Sequence, residues 1–141
     1  ETHAMAAAIA TMEEFEKHNV ISHIFKTGKM LNDLCRKVID KHGLSQYVRL
    51  IPCDWQPVFI FKDRAGNISM ELRTLVMQEM IRRGVLFQGI FVPSYSHTSD
   101  DVNYFASALN ESLLIYKSAL DRGVGTYLIG EATKPVFRKV L

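Results

Sequence analysis

The chain has 141 residues, enough for one domain with a core of its own. Hydrophobic residues make up 48% and charged residues 23%, as in ordinary soluble globular proteins, and 17 basic against 15 acidic side chains leave a net charge of +2. That near-balance gives no reason to expect nucleic acid or an anionic membrane as partner, and no apolar run approaches the ~20 residues needed to span a bilayer.

The chain opens on Glu1-Thr2-His3-Ala4-Met5 with no initiator Met, no leader and no polar arm, so Glu1 is expected to sit within a longer protein. Residues 2–18 read as a helix, with Ala4, Ala7, Ala8, Thr11, Met12 and Phe15 on one stripe; so many alanines predict a close neighbour. A second helix is predicted from Val20 to His42, burying Ile24, Leu31, Leu34, Cys35, Val38 and Ile39, with Gly43 as a left-handed cap. The pattern then changes to period two: residues 47–52 and 56–61 read as strands, with Pro57 marking an edge or an irregular start. Residues 62–67 are turn-forming, and Ser69 is a good N-cap for a helix over 69–82 ended by Gly84. Residues 85–95 are strand-like, interrupted by Gly89 and Pro93. Thr98 and Asp101 have the spacing of a capping box, opening a helix that runs to about Asp121. After the exit at Gly123 and Gly125, the tail from Thr126 has two short apolar stretches around Pro135 that could form an edge strand or cover a face. The order α-α-β-β-α-β-α plus tail predicts an α/β (α+β) two-layer sandwich with a small, mainly antiparallel sheet.

No constellation for catalysis emerges. His18 and His23 are five apart, about 140° from each other on a helix, which makes a poor metal pair, and no metal site is expected. Cys35 and Cys53 lack CxxC spacing and suit buried positions in a reducing cytoplasm better than a disulfide. No nucleophile elbow surrounds Ser94, Ser96 or Ser99, and the glycines are too scattered for a phosphate-cradling loop. Arg82 and Arg83 suit a helix C-terminus, and Arg138 and Lys139 read as a solvated tail. Trp55, Phe59 and Phe61 read as core. Phe87, Phe91 and Tyr95, in an irregular segment, are better candidates for a pocket wall.

Three stretches, in order, resemble one family. ETHAMAAAIATMEEFEKHNV is similar to the helix that leaves the large domain in class III (fold-type I) aminotransferases dependent on pyridoxal 5'-phosphate (PLP). MIRRGVLFQGIFVPSYSHTSDDVN resembles the glutamate-1-semialdehyde aminomutase branch, and the helix over 102–121 resembles its last helix. The most specific piece is Ser94-Tyr95-Ser96-His97-Thr98 followed by Asp100-Asp101. The loop over 85–97 is shorter than in those aminomutases and lacks their Phe-Glu pair. The tail resembles that of branch members acting as transaminases.

The resemblance implies that residues 1–141 are the C-terminal small domain, with the large cofactor-binding domain upstream in the same chain. PLP would be held by an upstream lysine, aspartate and threonine, leaving no catalytic and no cofactor-binding residue here. The full-length enzyme would be a cytoplasmic homodimer acting on a small amino donor and acceptor, with this domain closing the substrate cleft. Gln88 and Tyr95 are the cleft-facing candidates, against the plainer possibility that they only pack the domain. Thr98 and Asp101 are assigned to the helix cap and His97 to orienting the strand exit. The alternative is a stand-alone α/β module that binds a ligand or a protein.

Overall fold

A computed structural model describes residues 1–134; the tail stretch around Pro135 and the pair Arg138 and Lys139 lie outside the described residues. The elements are α1 (Thr2–Lys17), α2 (Val20–Lys41), β1 (Val48–Ile51), β2 (Val58–Phe61), α3 (Met70–Arg82), α4 (Ser99–Arg122) and a 3-10 turn over Val124–Thr126. Strands β1 and β2 form an antiparallel hairpin in which Val48 faces Phe61 and Ile51 faces Val58. Helices α2, α3 and α4 cover it, giving the expected α+β architecture.

Local signals set most of the boundaries. Ser69 accepts from the Leu72 amide at the start of α3. Gly43 takes φ 69° after α2, the left-handed conformation that costs a glycine little. Asn19, at φ 50°, turns the chain between α1 and α2.

The core lies where α4 crosses α2 and α3. Leu31, Cys35, Leu75, Val76, Met80, Leu109 and Leu113 are buried there beside Phe59 and Phe61 of the hairpin. Tyr116 is fully buried and has its hydroxyl partnered: it donates to the Lys62 carbonyl at 2.5 Å and accepts from the Lys62 amide at 3.2 Å. Burial pushes that phenol well above its ordinary range, against the smaller opposing effect of the Lys62 bond.

Three sequence expectations change. The strand-like run over 85–95 is reduced to one bridge, Val58 with Ile90, flanked by Phe59 N–H donating to Gly89 O (2.8 Å) and Phe91 N–H to Pro57 O (3.0 Å). Gly89 at φ 85° turns the chain out of strand geometry, and Pro93 has no N–H to continue a ladder. Helix α1 buries none of its residues, and Met5, Ile9, Met12 and Phe15 stand 61%, 54%, 59% and 40% exposed. The close neighbour that its small residues predict is absent among the described residues. Trp55 is also exposed, while Phe59 and Phe61 are core as expected.

Candidate functional site

The loop between α3 and α4 is held in place from three sides. Gly84, at φ 75°, ends α3, and the Tyr104 hydroxyl of α4 donates to Arg83 O at 2.7 Å, tying the two helix ends together. Arg73 of α3 donates through Nη2 to Gln88 O at 2.5 Å, and its guanidinium lies against Gly89, where a Cβ would come within 3.1 Å of Arg73 Nε. At the far end, the Ser94 amide donates to His97 Nδ1 at 2.9 Å. An amide can only donate, so Nδ1 carries the lone pair and the ring proton is on Nε2. His23 of α2 donates from Nε2 to His97 O at 3.0 Å, fixing the loop to a third helix.

Thr98 then opens α4. Its hydroxyl accepts from the Asp101 amide, and the Asp101 carboxylate accepts from the Thr98 amide at 2.7 Å. The Thr98 amide first, and then the Thr98 hydroxyl, which donates to the same carboxylate oxygen at 2.7 Å, hold the Asp101 carboxyl below the usual aspartate range although it is exposed to solvent.

Between this loop and α4 lies a cavity of about 390 Å³. Phe87, Phe91 and Phe105 meet edge to face beside it, with centroids 5.1 to 5.3 Å apart at Phe105, and His97 tilts over Phe91 at 4.9 Å. Phe87 and Phe91, expected as pocket wall, do line it. Gln88 and Tyr95 do not: Gln88 is exposed beside Arg73, and Tyr95 is half exposed, its ring 5.1 Å from His23 and 5.8 Å from His18. Tyr104 lines the cavity and was not foreseen, because its helical position reads as a solvent face.

A second polar knot was also missed. Glu79, only 4% exposed, accepts from Gln78, from Arg82 at 2.7 Å and from Arg83 at 2.9 Å, and Arg83 also reaches Glu111 at 2.9 Å. Burial alone would raise its carboxyl, but these bonds and the two guanidinium charges win and hold it below the ordinary glutamate range. Among the described residues no group of three or more His, Cys, Asp or Glu could hold a metal ion, and no helix is long and apolar enough to cross a membrane.

No protein-family model matches the chain. Two comparisons do match, one in sequence to an aminotransferase and one in fold to a PLP-bearing protein; they agree with the aminotransferase resemblance and do not reach its aminomutase branch. In sequence the chain is 28% identical over 118 residues to a 3-aminobutyryl-CoA aminotransferase of Cloacimonas acidaminovorans (strain Evry), which covers 82% of this chain. In fold it matches the PLP internal aldimine form of the FumI protein of Sphingopyxis sp. MTA144, with a TM-score of 0.71 over 84% of this chain at 19% identity. The chain spans 28% of the length of each.

Every described lysine is exposed except the half-buried Lys62, and none lines the aromatic cavity.

Proposed function

We propose that residues 1–141 are the C-terminal small domain of a PLP-dependent aminotransferase whose large domain precedes it in the same chain. The observation that carries this reading is the agreement of two independent matches. One is by sequence to an aminotransferase and one by fold to a PLP-bearing chain, and each covers over four-fifths of this chain and 28% of the relative. In the full-length enzyme PLP supplies the electron sink for moving an amino group. The role of this domain is to present the loop over 85–97 to the substrate cleft, exclude water from it and help bury a homodimer. Gln88 and Tyr95 remain the residues assigned to that cleft, both on the exposed side of the loop. Within the class, the sequence from Ser94 to Asp101 favours the aminomutase-like branch. The short loop without a Phe-Glu pair favours net transamination over an internal amino shift.

The test is the intact mass of the native gene product, detected in extract with an antibody to this domain, before and after borohydride reduction. A product several times larger than 16.1 kDa, with a pyridoxyl group fixed on a lysine outside residues 1–141, is the expected result. A native product near 16.1 kDa would sink the proposal and leave the stand-alone binding module. In the full enzyme, Gln88→Ala and Tyr95→Phe should change substrate KM more than cofactor retention; unchanged kinetics in both would remove the cleft assignment.

A further inference from the structure

We infer that His97 is a proton-operated latch on the loop: neutral, it pins the Ser94 amide and fixes residues 92–96, and protonated, it lets them go. On either side of this stretch the chain is tied by bonds with no such dependence. Upstream, the Phe91 amide donates to Pro57 O at 3.0 Å. Downstream, His23 Nε2 donates to His97 O at 3.0 Å, which an imidazole does whether neutral or charged. Between these two ties, the hydrogen bonds among the described residues all join Ser94 to His97. The His97 amide donates to Ser94 O at 3.2 Å, the Ser94 amide donates to His97 Nδ1 at 2.9 Å, and the Ser94 hydroxyl also lies 2.9 Å from Nδ1.

Nδ1 has a single lone pair. A proton there turns the atom into a donor facing an N–H, so the Ser94 amide loses its acceptor, whereas the hydroxyl can rotate and accept instead. That hydroxyl and the Phe91 ring, 4.9 Å away, both favour keeping the imidazolium in place, so the backbone of Ser94 is what must move. The ionisable groups that face His97 are Asp101 and Tyr104 from α4 and His23 and Lys26 from α2. Tyr95 lies beside His23, with His18 and Glu14 of α1 behind it. Asp101 favours arrival of the proton and Lys26 opposes it. These charges move the pH of the change and not its consequence, because none of them restores the lone pair. The sign follows: the Ser94 bond is present at high pH and is lost as His97 takes up its proton.

The experiment is hydrogen exchange of the full gene product at about pH 8 and about pH 5, on either side of the ordinary histidine range. Exchange is read at the Ser94 amide by mass spectrometry with fragmentation and divided by the intrinsic rate at each pH. In the unaltered protein, protection at Ser94 should fall about tenfold at the lower pH. The buried Leu109 and Leu113 of α4 should keep theirs, which separates the latch from general acid unfolding. His97→Asn places a carbonyl oxygen where Nδ1 stands and takes up no proton, so Ser94 should stay protected at both pH values. His97→Ala offers no acceptor and should leave Ser94 unprotected at both. Equal protection at both pH values in the unaltered protein would overturn the latch. So would an Asn variant that loses protection in acid as the unaltered protein does, or an Ala variant as well protected as the unaltered protein at the higher pH. The latch stands apart from the aminotransferase reading, which borohydride reduction tests at a lysine outside residues 1–141.

Discussion

Gly28→Ala should destabilise the protein, against the rule that alanine improves a helix. Gly28 is buried within α2, where replacing glycine by alanine ordinarily gains about 1 kcal/mol. Here the backbone of the 52–57 connection rests directly on the helix. A Cβ at position 28 would lie 1.6 Å from Asp54 O, 2.5 Å from its carbonyl carbon and 3.1 Å from its Cα. Ordinary contact begins at 3.4 Å, so the two backbones must separate by roughly 1.8 Å, and the obstacle is main chain that no rotamer change can clear. Separation also strains the 2.8 Å bond from Asn32 Nδ2 to Asp54 Oδ1. Overpacking of this kind costs about 3 kcal/mol or slightly more, so the net loss should be about 2 kcal/mol. For a chain of this length that is a fall of about 6 °C in Tm. Urea unfolding followed by circular dichroism at 222 nm measures it, with Gly125→Ala as control because a Cβ there meets nothing within 4 Å. A Gly28→Ala protein as stable as the control would refute the seating of the 52–57 connection on α2.

Thr98→Ala removes the hydroxyl half of the capping box and should cost about 1 kcal/mol, seen as lower urea midpoint and faster amide exchange in the first turn of α4; unchanged exchange would contradict the cap. Glu79→Gln should lose about 2 kcal/mol at neutral pH, since Arg82 and Arg83 lose their shared carboxylate. Because the Glu79 carboxyl is held low when folded, its stabilisation is complete above the usual glutamate value near 4.5 and is lost as pH falls through the depressed one. The variant should therefore show a flatter acid limb in Tm against pH, and an unchanged slope would refute the pairing. Cys35 is fully buried and its thiol is pushed up to about 12 by that burial, so an aromatic disulfide reagent at pH 8 should label the half-buried Cys53 first and Cys35 only on unfolding. Met5→Gln with Met12→Gln should reduce self-association of the 141-residue chain in sedimentation velocity while leaving its urea midpoint in place; unaltered self-association would show that the stripe is not sticky.

Helix ends were legible because they are written locally. Ser69, Gly43 and the Thr98 and Asp101 pair act within four residues of themselves, so their meaning survives without knowledge of the fold. The third strand was half legible: its apolar run does meet the hairpin, at Ile90, but Gly89 and Pro93 limit it to one bridge. Gly28 carried no signal, because its reason is a backbone 26 positions later in the chain. Glu79 was hidden for another reason. Its i,i+3 and i,i+4 spacing to Arg82 and Arg83 is that of an ordinary solvent-face pair, and only the packing of α3 against α4 makes it nearly buried. The site divided the same way. Phe87 and Phe91 were found because aromatics in an irregular segment suit a wall, while Gln88 and Tyr95, assigned from that segment to a substrate cleft, are not among the residues that line this cavity.

Helix α1 and the aromatic cavity make a single argument. A 16-residue helix that buries nothing is close to the length at which isolated helices are marginal in water, and here its exposed face carries Met5, Ile9, Met12 and Phe15. Such a stripe has little reason to be apolar in a module that works alone. The loop beside the cavity repeats the pattern, since Leu86 and Val92 are more exposed than any of the core aliphatics. Both features are explained at once if this domain is one wall of a larger assembly. That economy favours a domain built to be covered over one that works alone.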